Sequence, residues 1–215
     1  MTSQQEVFEL LRPTMIKFLS GTNASIMSYG PSGSGKSFTM IGNLEDSLDH
    51  GVIPRALEYV TQEARKKKAQ VSISCIEVYN NQLADLIDPS NTTGLKMNTL
   101  NFSVDGLTSV EVDNLDMALK VLMDINKTRR VGETQKNQRS SRSHMILKIS
   151  LYSETKVASL FMVDLAGSES YQEVSIQQKE ESAYIKKSLS SLGRMIMKKK
   201  LCEKDPSNVF IPGRE

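Results

Sequence analysis

Eight residues, Gly30-Pro31-Ser32-Gly33-Ser34-Gly35-Lys36-Ser37, carry the densest chemical signal in the chain. They match the spacing G-x-x-x-x-G-K-[ST], in which glycines let successive backbone N–H groups point inward at phosphate oxygens. The helix expected to start there adds its positive N-terminal end. Lys36 is spaced to reach the terminal phosphates and the Ser37 hydroxyl to ligate Mg2+, so the stretch predicts a nucleoside triphosphate site. A second stretch, Asp164-Leu165-Ala166-Gly167-Ser168-Glu169, follows an apolar run. An acid at a strand end beside a phosphate loop holds the Mg2+ shell, and the glycine beyond it can give its N–H to the terminal phosphate. Alone, Asp-x-x-Gly is an ordinary turn; its weight comes from the company of the first stretch. A third, Asn137-Gln138-Arg139-Ser140-Ser141-Arg142-Ser143-His144, is dense in polar groups but reads by itself only as a loop.

Elements must bring these stretches together. Val7, Leu10, Leu11, Phe18 and Leu19 recur at roughly helical spacing over residues 4–20, with Pro13 expected to bend or divide the helix and Gly21 to close it. Ala24 to Tyr29 is short, apolar and followed by glycine, as suits a buried strand feeding the phosphate loop. The helix opened by Ser37 is interrupted from Asn43 to Gly51, resumes near Ile53 and runs to about Lys68. Val71 to Tyr79 alternates apolar and polar side chains as a strand does, Asn80-Asn81 turns it, and Leu83 to Ile87 reads as a short helix. Residues 89–113 read as a small hairpin region, and Asp113 or Asn114 can cap a helix through about Thr128. A loop over 132–143, strands over 144–152 and Val157 to Val163, and a helix from about Glu180 to Lys200 complete the reading. The fold class expected is α/β: one domain with a twisted sheet, helices on both faces, and Asp164 at a strand's C-terminal end, where open α/β sheets place their ligands.

Composition narrows the function further. With 27 basic against 25 acidic side chains the net charge is only +2, which argues against a general nucleic-acid or other polyanion binder. The local runs Arg65-Lys66-Lys67-Lys68 and Lys198-Lys199-Lys200 read as solvated helix ends. Cys75 and Cys202 lie far apart with no metal-ligand spacing and are expected to be free thiols, and two histidines in all leave little for a histidine metal site. No apolar run reaches the length of a membrane span and the N-terminus lacks a signal pattern, so the expectation is a soluble intracellular protein without a membrane partner.

Taken in order, the three stretches resemble the kinesin motor domain: the phosphate loop, N-x-x-S-S-R-S-H as its first switch and D-L-A-G-S-E as its second. Gly51-Val52-Ile53-Pro54-Arg55-Ala56 resembles the family's G-I-I-P-R-A, Cys75 to Asn80 its strand ending in E-I-Y-N, and Lys187 to Gly193 its K-S-L-S-A-L-G. The resemblance covers essentially the whole chain and implies a P-loop NTPase fold binding ATP and Mg2+, acting on microtubules in the cytoplasmic cytoskeleton. Carried over by position, Gly30, Pro31, Ser32, Gly33, Ser34, Gly35, Lys36 and Ser37 would hold the phosphates, with Phe38 stacking on the base where the family often has histidine. Ser37 and Ser141 would meet the Mg2+ and γ-phosphate region, with Asp164 reaching the metal through water. Gly167 would sense the γ-phosphate. Arg142 and Glu169 would form the ion pair that closes the two switches and positions the attacking water.

Departures from the family pattern shape a rival expectation. Residues 1–215 would form a partial motor domain, starting after the family's first strand and adenine-packing segment and stopping at Ile211-Pro212-Gly213-Arg214-Glu215, before its last helices and neck linker. A further chain or coiled-coil partner would then cover what is missing. The loop Ser170 to Gln178 lacks the family's basic, glycine-containing character, and Lys186 stands where the family has asparagine, so a donor-only ammonium replaces an amide that both donates and accepts. These departures favour, as the alternative to an ATP-hydrolysing motor, a non-motile microtubule- or partner-binding module with weak or no turnover.

Overall fold

The computed structural model describes residues 3–91, 94–98, 103–135, 139–169, 176–202 and 211–212. The first helix, α1 (Gln4–Leu19), starts on a capping box, Ser3 and Glu6 each accepting from the other's backbone N–H. Pro13 lies inside it and neither divides nor ends it. The buried face made by Val7, Phe8, Leu11, Met15 and Phe18 holds the helix through the bond that proline cannot donate, so tertiary packing overrides the local penalty. Strand β1 (Ala24–Tyr29) and the short α2 (Lys36–Met40) then flank the glycine loop.

The break after α2 is a loop closed at its base. Gly51 N–H donates to the Ile41 carbonyl at 2.9 Å and Asn43 N–H to that of Asp49 at 3.1 Å, beside a bridge between Gly42 and His50. Gly42 has φ +74, and a Cβ there would strike the Asp49 carbonyl oxygen, so only glycine fits. Arg55 staples the loop from beneath: Nε donates to the His50 carbonyl at 2.8 Å, Nη2 to that of Leu48 at 2.9 Å and Nη1 to Gln5 Oε1 at 2.6 Å. Leu48 at the tip is 81% exposed.

Helix α3 (Val52–Lys66) ends as its basic run predicts, with Arg65 and Lys66 in the last turn and Lys67 Nζ donating to the Leu19 carbonyl at 3.1 Å. Strand β2 (Gln70–Tyr79) follows, with Cys75 a buried free thiol in its middle. The short helix expected over 83–87 is instead a strand, β3 (Gln82–Asp85), antiparallel to β2 with Tyr79 opposite Gln82. The reason is the turn: Asn80 and Asn81 both take positive φ, +47 and +61, which is the two-residue hairpin geometry whose twist matches the strands it joins.

Asp85 then organises the connection to the hairpin of β4 (Lys96–Asn98) and β5 (Ser103–Asp105). Its buried carboxylate accepts from the N–H groups of Ile87, Asp88 and Thr108 and from Asn91 Nδ2. Burial alone would raise its pKa, but the hydrogen bonds from Thr108, Asp88 and Ile87 outweigh it and hold the carboxyl below its ordinary value. Asp85→Ala is expected to cost about 2–3 kcal/mol in urea unfolding, because several backbone donors lose a charged acceptor together. Since the folded-state pKa is lowered, this contribution is complete above the unfolded value of about 3.9 and is lost as pH falls through the folded one. The gap between wild type and variant should therefore close in acid.

After β6 (Val110–Glu111), helix α4 (Leu115–Gln135) is capped by Asn114, whose Oδ1 accepts from Met117 N–H at 2.9 Å. It runs past the expected end near Thr128 into the region read as loop, because its buried stripe, Ala118, Leu122 and Ile125, continues to Arg129. Residues 139–142 form one 3-10 turn ahead of β7 (His144–Tyr152) and β8 (Val157–Asp164); α5 (Ile176–Cys202) begins a turn earlier than expected, and β9 (Ile211–Pro212) ends the described chain.

The sheet runs β3-β2-β7-β8-β1-β9, with β6 pairing β2. β8, β1 and β9 are mutually parallel neighbours, whereas β2, β7 and β8 form an antiparallel meander. Met145, Leu147, Ile149, Leu160 and Met162 pack with α1, α3 and α4 in one core. His144, one residue before Met145, faces the other way and meets α5, so helices lie on both faces. Among the described residues no helix is long and apolar enough to cross a membrane, and no group of three or more His, Cys, Asp or Glu gathers that could hold a metal by itself.

Candidate functional site

β1 and β8 are parallel and adjacent, with Ser28 opposite Asp164, so the glycine loop and the stretch after Asp164 leave the sheet side by side. Ser168 N–H donates to the Gly30 carbonyl at 3.1 Å and ties the two loops together. Gly33 and Gly35 take φ of +79 and +84, and a Cβ at either would meet nothing within 4 Å, so the loop bends around open space. The Ser34 hydroxyl oxygen is buried there without a hydrogen-bond partner among the described residues. Lys36 is 8% exposed and its Nζ donates to the Pro31 carbonyl at 2.8 Å. Burial pulls the ammonium's pKa down, while Asp164 and Glu169 nearby push it back up. A buried cation, an orphaned hydroxyl and left-handed glycines fit a phosphate chain.

Asp164 is the most heavily used carboxylate of the site. Oδ2 accepts from the Ser37 hydroxyl at 2.7 Å and from Arg129 Nη1 at 2.8 Å, and Oδ1 from the Ser28 hydroxyl at 3.2 Å. Ser37 and Asp164 thus stand together, an oxygen pair of the kind a hard Mg2+ ion takes through a hydroxyl and a water. Arg129 was missed by sequence reasoning. It sits in the polar run Lys127-Thr128-Arg129-Arg130, which reads as solvent-facing, yet it falls in phase with Leu122 and Ile125 and is 5% exposed.

The first-switch residues reach the same place from the 3-10 turn. The Ser141 carbonyl accepts from Gly167 N–H at 2.8 Å, so the N–H expected to sense phosphate is bonded across the two loops. A Cβ on Gly167 would meet the Glu169 carboxylate and the Ser32 hydroxyl, so those side-chain ends would have to swing aside to admit one. Glu169 accepts from the Ser32 N–H at 2.8 Å. Arg142, expected opposite Glu169, has a partner the sequence did not suggest: Nη1 donates to Glu181 Oε2 on α5 at 2.6 Å. Ser143 donates to Glu77 Oε1 at 2.7 Å. His144 Nδ1 accepts from Ala166 N–H at 3.0 Å and Nε2 lies 2.9 Å from the Ser188 hydroxyl; burial lowers the imidazole's pKa, the nearby Arg129 acting with it and Asp164 against.

Gly30, Pro31, Ser32, Gly33, Ser34, Gly35, Lys36, Ser37, Ser141, Arg142, Asp164, Gly167 and Glu169 are thereby all placed at the C-terminal ends of β1 and β8 or the loops facing them. Phe38 lies on α2 and is 53% exposed, and its carbonyl accepts from Gln4 Nε2 at 2.7 Å. Asn137, Gln138, Ser170 to Ser175 and Gly213 to Glu215 lie outside the described residues, as do the side chains of Arg139, Ser140, Ile176 to Gln178, Lys198 to Lys200 and Cys202.

Comparison with known proteins shows the family of the chain. A family model described as the kinesin motor domain matches residues 1–215. Kinesin-related protein 7 of Dictyostelium discoideum is 33% identical over 214 residues, covering 90% of this chain and 17% of that protein. Kinesin-like protein KIF15 of Strongylocentrotus purpuratus is 37% identical over 224 residues, covering 91% of this chain and 15% of that protein. Among solved structures, that of a fast kinesin superposes with a TM-score of 0.76 at 30% identity, covering 83% of this chain and 56% of that one. The chain therefore spans well under half the length of these curated relatives.

Proposed function

The chain belongs to the kinesin motor domain family, and from that premise we propose that it binds ATP with Mg2+, hydrolyses it, and engages microtubules. The observation that carries the reading is the convergence of Lys36, Ser37 and Asp164 with the loop bond between Ser141 and Gly167. Lys36 and the amides of the glycine loop would take the β- and γ-phosphates, and Phe38 the base. Ser37, Ser141 and Asp164, the last through water, would hold the metal. Bound Mg2+ would neutralise charge on the phosphates and leaving oxygen.

The rest falls to the chain's own groups. Gly167 N–H would exchange the Ser141 carbonyl for a γ-phosphate oxygen, and Glu169 would give up the Ser32 N–H as the loop closes on phosphate. Arg142 and Glu169 would then orient the attacking water. The first exchange swaps a neutral internal hydrogen bond for a charge-assisted one and the second trades one carboxylate bond for another, which supplies two discrete arrangements separated by the presence of the γ-phosphate. α5 follows the second loop and touches the first, so it is the element to carry the change to a microtubule surface.

Steady-state ATP hydrolysis with and without microtubules tests the reading. Turnover that rises with microtubules and falls by roughly 100-fold or more in Glu169→Ala is expected. Nucleotide-independent co-sedimentation with no turnover would instead establish the non-motile module, which the exposed Lys186 on α5 favours by placing a charge where an amide relay is expected.

A further inference from the structure

Glu181 stands outside every motif read from the sequence, yet it is 5% exposed and both its oxygens are engaged. Oε2 receives Arg142 Nη1 at 2.6 Å, and Oε1 receives the Tyr79 hydroxyl at 2.5 Å. These three side chains come from α5, the first-switch turn and the end of β2. Burying a carboxylate costs several kcal/mol, which a guanidinium offsets only with good geometry and further hydrogen bonds to the remaining lone pairs. The Tyr79 hydroxyl supplies such a bond and at the same time fixes the rotation of the carboxylate, and so the direction from which the guanidinium is held.

The neighbours of Arg142 make that direction matter. Ser141, just before it, holds Gly167 N–H through its carbonyl, and Ser143 and His144, just after it, are tied to Glu77, Ala166 and Ser188. Glu181 and Ser188 are seven residues apart, two helical turns, with buried Ile185 between them, so one face of α5 meets the switch turn at two points. Arg142 is the link in this series that reaches from the loop over the nucleotide site to a charged group on the helix.

We propose that Glu181, braced by Tyr79, is a positioning residue that fixes Arg142 and, through it, the Ser141 carbonyl opposite Gly167, so that α5 and the phosphate-facing loop move as one body. The catalytic consequence rests on the nucleotide-site reading above; the positioning itself does not. Tyr79→Phe is the sharpest variant, because it keeps the ring and removes the hydroxyl that braces Glu181, and Glu181→Gln removes the charge that Arg142 answers to.

The test uses the full 215-residue chain and two measurements. In nucleotide-free protein, amide hydrogen exchange at Ala166 and Gly167 is expected to rise about tenfold in Tyr79→Phe, with core amides such as Ile73 unchanged. With Mg·ATP, kcat is expected to fall by a similar factor at unchanged KM, and the double variant Tyr79→Phe/Glu181→Gln to cost less than the sum of the two. Exchange that rises uniformly through the core, or not at all at Ala166 and Gly167, overturns the proposal in favour of a pair that only stabilises the fold. A local rise in exchange with kcat untouched in an active wild type also overturns it. A wild type that binds no Mg·ATP sinks the nucleotide reading alone, and the exchange measurement then decides the positioning by itself.

Discussion

Lys36→Ala is expected to weaken Mg·ATP binding by roughly 100-fold and to abolish the thermal shift that the nucleotide gives the wild type, with little change in the unliganded melting temperature. The asymmetry follows from where the ammonium sits. In the unliganded protein it is buried and donates to a single loop carbonyl, so removing it forfeits one hydrogen bond and relieves a desolvated charge. Against a triphosphate the same group makes charge-assisted bonds, each worth about 1.5–3 kcal/mol. Lys36→Arg is not expected to rescue, since a planar fork cannot sit in a loop shaped around a point charge. A variant that melts like the wild type and still shifts fully with Mg·ATP would mean the phosphates are held elsewhere.

Arg129→Leu is expected to lower folding stability by about 3–5 kcal/mol, the largest single loss among the side chains of the site. Arg129 and Asp164 are 5% and 1% exposed and 2.8 Å apart, so leucine would take the ion-pair partner from a buried carboxylate and leave it the hydroxyls of Ser28 and Ser37, with Lys36 as the remaining cation nearby. Adding Asp164→Asn should recover more than half of the loss, because the amide needs no counter-charge, accepts from one serine hydroxyl and donates to the oxygen of the other. Urea unfolding of the two variants checks this. A single variant within about 1 kcal/mol of wild type would show that the ion pair contributes no more than an exposed one.

How much of this was legible in the sequence divides along a physical line. The phosphate loop could be read because its function demands residue types that nothing else at that spacing explains, and Asp164 because an apolar strand ran straight into it. The partners of those residues could not be read so easily, since Arg129 and Glu181 are charged residues in charged surroundings. Their signal was phase, not identity: Arg129 continues the stripe of Leu122 and Ile125, and Glu181 lies on the face of Ile185 and Ser188. A charge in the buried phase of an amphipathic helix is the mark of a partner across the core. The misread strand after Asn80-Asn81 has a different cause, because the paired left-handed asparagines that make a hairpin are also good loop formers, and residues 83–87 carry no pattern long enough to decide.

The loop between α2 and α3 has a practical consequence. Its ends are bonded to each other at the base and Arg55 grips its descending arm, so whatever happens beyond Asn43 is mechanically isolated from the helix that follows the phosphate loop. The exposed side chain of Leu48 is thus a port: a label attached there would report from the loop without bending the helix that follows the phosphate loop. Two backbone hydrogen bonds and a glycine with no room for a side chain give the domain a place where a surface can be altered and position cannot.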